Sequence, residues 1–400
     1  MPGLPIDAGF DVLSYDVTLR PDFALRAVAG REVVRVRSLR DGLQALDFTG
    51  NSLTVEGGRQ ADGRQAGGRL VVQLPRPLRK GETYTLKLRF SGRPARGLVW
   101  GERSVHSDYF TCDWMVCDQD RPGDTARFRL SLELPKGARR VTAGAGDRRA
   151  GAEYAPFLFG FAAGELTQTR LPNPGGPELV VLADSADVTD RLVSTPQIMA
   201  FLRDRAGLPL PFARYTQVLT ADSQAQEAAG LALIGRPEID PILEAPQEDW
   251  VIAHEMAHQW WGVLLSCEDL SQFWLNEGLA TFMTAAWKEH RWGRAAYDRE
   301  LDLARHRWAK ARDQGVDRPL AFAGDYPSLG ARRAIVYSKA TLFLDALRQE
   351  LGEAVFWDGL RRYTRDNVGR RVTSRDFQRA MEQAAGRNLQ LLFETWVYGA

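Results

Sequence analysis

Val251-Ile252-Ala253-His254-Glu255-Met256-Ala257-His258-Gln259-Trp260-Trp261-Gly262 is the stretch that decides how this 400-residue chain is read. No proline or glycine interrupts it before Gly262, and Asp249 stands as a plausible N-cap, so the pattern predicts a helix over 249–262. On a helix, His254 and His258 lie one turn apart and project from one face, able to present two imidazole nitrogens to a single ion. Glu255 then lies beside them, next to an open coordination position. Two imidazoles do not complete a catalytic zinc site; a third protein ligand is needed, with the fourth position left to water. Glu277 is placed to supply it, with eighteen residues between it and His258, in Trp274-Leu275-Asn276-Glu277-Gly278-Leu279-Ala280-Thr281-Phe282 at the start of the next predicted helix. A short loop through 266–271 lets that helix pack back on the first. The rival extended motif H-x-x-G-x-x-H is absent, because Trp261 and Leu264 hold the places of its glycine and third histidine. The expected ligand set is therefore His254, His258 and Glu277 around one Zn²⁺ per chain, with Glu255 as the base. His106, His290 and His306 lack such company and read as structural or solvated.

Working outward, the composition of 44% hydrophobic and 26% charged residues is that of a folded, water-soluble chain. Fifty-two basic side chains against 51 acidic ones leave a formal net charge of +1, with no block of one sign. Such a balance gives no field suited to nucleic acid or anionic lipid. The longest charge-free apolar stretch, about 154–164, is far short of the roughly 18–20 residues of a bilayer span. Residues 1–10 lack the cationic start and apolar core of a secretory signal, so a cytoplasmic location is expected. Cys112, Cys117 and Cys267 form neither a disulfide framework nor a paired metal knuckle, and are expected to be small buried hydrophobes.

From about Asp11 to Ala163 the chain favours strands. Apolar and polar residues alternate over 15–19, 32–36, 85–90 and 127–132, as in half-buried antiparallel strands. The glycine- and arginine-rich segment 57–69 reads as the polar loop of a hairpin, because Leu53, Val55, Leu70 and Val72 keep a strand-like pattern on either side. Asn173-Pro174-Gly175-Gly176-Pro177 is the densest turn cluster of the middle region, and a domain boundary is expected there, give or take ten residues. Beyond it come strand signals at 179–182 and 216–219, then helical periodicities over 274–290, 296–312, 338–351 and 374–385. In the helix expected over 296–312, Leu303, Trp308 and Ala311 are expected to form a core stripe beneath a basic face. The expected fold class is α+β in two domains: an N-terminal antiparallel β-sheet domain over 1–180 and a mainly α catalytic domain over 181–400.

With these residues in hand, the chain resembles the gluzincin zinc aminopeptidases typified by aminopeptidase N, which also include the leukotriene epoxide hydrolase. His254-Glu255-x-x-His258, eighteen residues, then Glu277 within Asn-Glu-Gly carries the likeness. Asp120-Arg121-Pro122-Gly123-Asp124-Thr125-Ala126-Arg127-Phe128 resembles the D-x-P-x-x-K-A-x-F stretch of that family's N-terminal β domain, and Val336-Tyr337-Ser338-Lys339-Ala340 resembles its Y-x-K-G segment. The resemblance implies a saddle-like β domain, a thermolysin-like catalytic domain, and oxyanion stabilisation by Tyr337. By itself a tyrosine before a helix would be read as structural.

The family's exopeptidase motif G-A-M-E-N is diverged. Aligning the Gly-Leu that follows it with Gly230-Leu231 gives Gln224-Ala225-Gln226-Glu227-Ala228, which keeps the alanine and the glutamate. The resemblance makes Glu227 the carboxylate that holds the substrate's protonated N-terminus and confines cleavage to the first bond; without it, Glu227 reads as a surface acid of a loop. Peptides with a free N-terminus are thus the implied substrates, with neither nucleic acid nor membrane as partner, and the sequence carries no signal for oligomeric state. The family commonly continues into a large helical C-terminal domain over the site. This chain stops at Gly399-Ala400, so a more open cleft is expected, or one gated by the N-terminal domain, loops or a second subunit. A zinc endopeptidase with an open cleft and a catalytically silent scaffold are the competing readings.

Overall fold

The computed structural model describes residues 9–56, 59–60, 68–119, 121, 123–184 and 189–399. The alternating stretches of the first half form strands whose apolar positions face inward. Phe10–Asp22 buries Phe10, Val12, Tyr15, Val17 and Leu19, and is the second strand of a five-stranded sheet. Across that sheet lie Arg127–Leu132, Phe10–Asp22, Ala27–Ser38, Thr83–Gly92 and Leu53–Glu56. The first pair is parallel and the others antiparallel, so the expected wholly antiparallel domain has one parallel edge. A three-stranded sheet (Leu43–Thr49, Arg69–Leu78, Arg59–Gln60) and a four-stranded one (Arg139–Thr142, Phe161–Gly164, Ser104–Ser107, Leu98–Trp100) complete the N-terminal lobe.

The hairpin expected across 57–69 is not formed by its flanking strands. Leu53–Glu56 pairs with Thr83–Gly92, whereas Arg69–Leu78 pairs with Leu43–Thr49 and, at Gln73 and Val72, with Arg59–Gln60. Both flanking strands keep their alternation because each has one buried face; alternation does not say which partner covers it. Residues 57, 58 and 61–67 of that segment lie outside the described residues.

Cys112 and Cys117, expected as free side chains, are joined in a disulfide with their Cα atoms 5.1 Å apart; Cys267 is free and buried. The single-turn helix Thr111–Asp113 folds the chain back within five residues, so both sulfurs meet in the same buried layer. Beside it, Val116 N donates to Glu32 Oε2 at 3.0 Å, while Glu32 Oε1 is buried without a partner. Burial pushes this carboxyl up to about 8. The folded protein therefore holds a proton that the unfolded chain releases near 4.5. Stability conferred by this group is present at pH 4 and is lost as pH rises to 8, by on the order of a few kcal/mol. Glu32→Gln should remove most of that loss, seen as a flatter Tm profile between pH 5 and 8 than the parent's; parallel profiles would assign the slope to other groups.

Asn173–Pro177 joins Thr167–Leu171 to Glu178–Ala183, adjacent strands of a second five-stranded sheet. Its order is Thr167–Leu171, Glu178–Ala183, Arg214–Thr220, Leu231–Gly235 and Ala225–Ala228, with two parallel pairs at the centre and an antiparallel pair at each edge. Helices follow, giving the α+β arrangement of the sequence reading. Among the described residues, no helix is long and apolar enough to cross a membrane.

Three helices frame the site: α1 (Trp250–Ala257), α2 (Trp274–Trp292) and α3 (Ala340–Leu351). The first is shorter than expected and ends at Ala257, with His258 as C-cap. Asp249 stands at the N-cap position but its side chain does not cap; Asp249 Oδ2 accepts from Trp287 Nε1 at 3.0 Å. The start of α1 is thereby tied to α2, and three further buried indoles brace the same region. Trp274 donates to Ser374 Oγ at 2.9 Å, Trp261 to Thr364 Oγ1 at 3.1 Å and Trp260 to Leu208 O at 3.1 Å. Each combines a large apolar contact with a satisfied donor, which fixes both position and rotation. In the helix Arg294–Asp313 the buried stripe is Ala296, Tyr297, Leu301, Ala304 and Ala311. Leu303, expected in it, is 50% exposed, because it lies about 200° around the helix from Leu301.

Candidate metal centre

The helical geometry of α1 brings His254 Nε2 and His258 Nε2 to 3.1 Å from each other. Glu277, in the first turn of α2, places Oε2 at 3.3 Å from His254 Nε2 and 3.4 Å from His258 Nε2. All three side chains are buried. Two mutually facing imidazole nitrogens and a carboxylate oxygen form a nearly equilateral triangle. A tetrahedral ion bonded at about 2.0–2.2 Å holds its donors about 3.3–3.6 Å apart, so the triangle has the dimensions of one face of a zinc site. His258 Nδ1 lies 3.2 Å from Trp261 O. Donation from Nδ1 to that carbonyl leaves Nε2 to face the triangle with its lone pair whenever the ring is neutral.

Local sequence explains the fit. After α1 the chain turns back over His258, with Val263 N donating to His258 O at 2.9 Å. Gly262 makes that turn at φ +145°; a Cβ there would stand 3.3 Å from His258 Nδ1. Next to Glu277, Gly278 lets α2 approach α3 so closely that an added Cβ would overlap the Cβ of Ala340. Both glycines hold backbone where a side chain would displace a donor.

Glu255 is buried beside the triangle, and its Oε2 has no hydrogen-bond partner. Glu227 is not a loop surface acid but wholly buried, on the edge strand Ala225–Ala228 opposite Ala232. Gln259, next to His258, ties that strand to α1. Its Oε1 accepts from Gly230 N at 2.9 Å and its Nε2 donates to Ala228 O at 3.1 Å. Glu227, Glu255 and His258 also converge, each offering a ligand atom within 4.8 Å of the others. Tyr337 lies in a π-helical turn, Ala334–Lys339, that runs into α3. Its ring stacks on His254 with centroids 6.1 Å apart, and burial, with the Glu277 charge nearby, holds its phenol well above the usual range. Lys339 pins this turn by donating to Asp317 Oδ1 at 3.0 Å and Arg318 O at 2.7 Å. The five expected site residues from the two helices and the π turn therefore gather at one point, and Glu227 joins them from the sheet.

Sequence reasoning missed Tyr109, whose hydroxyl donates to Glu227 Oε2 at 2.6 Å. Nothing in a lone tyrosine between two strands marks it. It comes from the N-terminal lobe, so of the expected alternatives it is this lobe that lies against a centre of buried side chains. Of the segment 120–128 that resembles the family's β domain, Asp120 and Pro122 lie outside the described residues.

The electrostatics call for a cation. Burial raises the Glu255 carboxyl far above its ordinary range, with Glu227 and Glu277 adding to the effect against His258. Burial likewise raises Glu227 and lowers His254. Burial also opposes charge on His258, yet Glu227 and Glu277 outweigh it and push the imidazole up to about 10. Glu277 is held well below the usual carboxylate range by His258 and the imidazole hydrogen bonds, in spite of burial. Three carboxylates around two imidazoles hold the proton on His258 as the available positive charge, and a divalent ion on the same donors would take its place.

Residues 191–396 match the family described as the peptidase family M1 domain, just over half of the chain. The chain belongs to peptidase family M1. Its relatives include aminopeptidase N of Lactococcus lactis subsp. lactis, 25% identical over 258 residues covering 60% of this chain and 30% of that protein. Aminopeptidase 2 of Candida albicans is 20% identical over 445 residues, covering 96% of this chain and 46% of that protein. This M1 chain thus spans less than half the length of these two relatives. Among solved structures, an M1 zinc metallopeptidase mutant from Deinococcus radiodurans bound to a Tyr-Ser-Ala substrate has the same fold, with a TM-score of 0.78 at 23% identity. The match covers 97% of this M1 chain and 94% of that one. A two-domain M1 zinc metallopeptidase bound to L-tryptophan aligns with a TM-score of 0.77.

Proposed function

We propose that this M1 chain is a zinc-dependent aminopeptidase that removes N-terminal residues from peptides. The observation that carries the reading is the donor triangle of His254, His258 and Glu277 with the buried, half-satisfied Glu227 beside it. A zinc ion on these donors supplies Lewis acidity toward the scissile carbonyl and lowers the pKa of water toward about 7. Glu255 takes the proton of the attacking water and returns it to the leaving amine; burial, which raises its proton affinity, suits a base that must hold the proton between the two steps. The Tyr337 hydroxyl donates to the oxyanion. Glu227 Oε1 accepts from the substrate's ammonium, which sets the register at the first peptide bond. Domain division accords with these roles: we place it near the expected boundary, with Thr167–Leu171 counted in the catalytic domain because it pairs within that sheet. For compartment, the Cys112–Cys117 disulfide favours an oxidising setting over the cytoplasm expected from the N-terminal composition.

Aminoacyl p-nitroanilides, each compared with its N-acetyl counterpart with and without a chelator, test the proposal. Turnover of the free-amine compounds should stop on chelation and return with added zinc, and the acetylated ones should react about a hundredfold more slowly or worse. Equal rates on both would convert the reading to an endopeptidase, and no turnover of either would point to a scaffold.

A further inference from the structure

Tyr109 lies between the strand Ser104–Ser107 and the turn Thr111–Asp113, with no regular structure of its own, yet its place is set from several sides. Asp108 N donates to Gly97 O at 3.0 Å and Asp108 Oδ1 accepts from Phe110 N at 2.9 Å. Gln119 spans the turn: its Nε2 donates to Tyr109 O, and its Oε1 accepts from Cys112 N at 3.2 Å. Thr111 Oγ1 donates to Pro156 O at 2.9 Å, and the Cys112–Cys117 disulfide closes the loop. On the opposite side, Glu227 is held by its strand and by the Gln259 clamp. Between these two fixed frames runs the bond from the Tyr109 hydroxyl to Glu227 Oε2 at 2.6 Å. The other oxygen, Oε1, is buried and has no hydrogen-bond partner.

We propose that Tyr109 is a positioning residue of the amine subsite, through which the N-terminal lobe fixes the rotation of the Glu227 carboxylate and leaves Oε1 alone to receive the substrate's ammonium. The terminal torsion of a glutamate is broad and two-fold, so an unrestrained carboxylate presents either oxygen over a wide arc. A short O–H···O⁻ bond from a braced phenol removes that freedom before substrate arrives, so the ordering cost does not fall on binding. The disulfide-closed turn holds the phenol, and hence the carboxylate, in register with the metal donors. This inference rests on the reading of Glu227 as the amine acceptor.

The test uses the zinc-loaded full chain and two competitive inhibitors that share a metal-binding head: leucine hydroxamate and its des-amino analogue, 4-methylpentanohydroxamate. The parent should prefer the amine-bearing compound. Tyr109→Phe, which keeps the ring and loses the hydroxyl, should cut that preference by about tenfold by weakening leucine hydroxamate alone, with KM for aminoacyl p-nitroanilides rising more than kcat falls. Equal weakening of both inhibitors would mean a merely structural tyrosine and would overturn the inference. A parental preference that survives Tyr109→Phe overturns it while leaving Glu227 as amine acceptor. No preference in the parent overturns that role of Glu227 and this inference together.

Discussion

Glu255→Gln should retain one zinc per chain while kcat falls by on the order of 10³-fold or more, with little change in KM. The carboxylate is not a corner of the donor triangle, so an isosteric amide removes the proton acceptor without removing a ligand. Its Oε2 is buried and unpartnered, so no structural hydrogen bond there is lost with the charge. Burial and the neighbouring Glu227 and Glu277 already disfavour a charge on Glu255, so a neutral amide there should leave folding stability unchanged or higher. Metal analysis beside steady-state kinetics separates the two effects. Loss of zinc in the variant would make Glu255 a ligand, and retained turnover would place the base elsewhere.

Glu277→Ala is the second large expectation, acting on metal affinity instead of on the proton. Two imidazole nitrogens 3.1 Å apart remain after the substitution, but the carboxylate that closes the triangle is gone. Zinc affinity should drop by about a thousandfold or more, and turnover should vanish at zinc concentrations that saturate the parent. His258 also loses one of the three carboxylates that hold its proton, so in the metal-free protein its pKa should move down from about 10. Competition with a chelating dye measures the first effect and imidazole NMR titration the second. Zinc bound as tightly as in the parent would show that the ion sits on other donors, of which Glu227, Glu255 and His258 are the alternative group.

Much of this centre was legible because its key relations are short in sequence. A four-residue step on a helix places His254 over His258 whatever surrounds them, and one turn-back delivers Glu277. The strands over 15–19, 32–36, 85–90 and 127–132 were legible for the same reason: one buried face imposes a period of two. What escaped depends on contacts between distant segments. Tyr109 and Glu227 are 118 residues apart, and only the packing of the two lobes joins them. The partners of Leu53–Glu56 and Arg69–Leu78 follow from sheet assembly, not from the alternation both strands display. Asp249 looked like a cap by position, but a buried indole claimed its carboxylate. The disulfide escaped because two cysteines five apart meet only if the chain between them turns.

Diffraction from zinc-loaded crystals on either side of the zinc absorption edge addresses the central claim most directly. The anomalous difference map should show one peak per chain within about 2.0–2.2 Å of His254 Nε2, His258 Nε2 and a Glu277 oxygen, with Glu255 and Glu227 outside bonding distance. A peak bound instead by Glu227 and Glu255, or no ordered zinc at these residues, would contradict it.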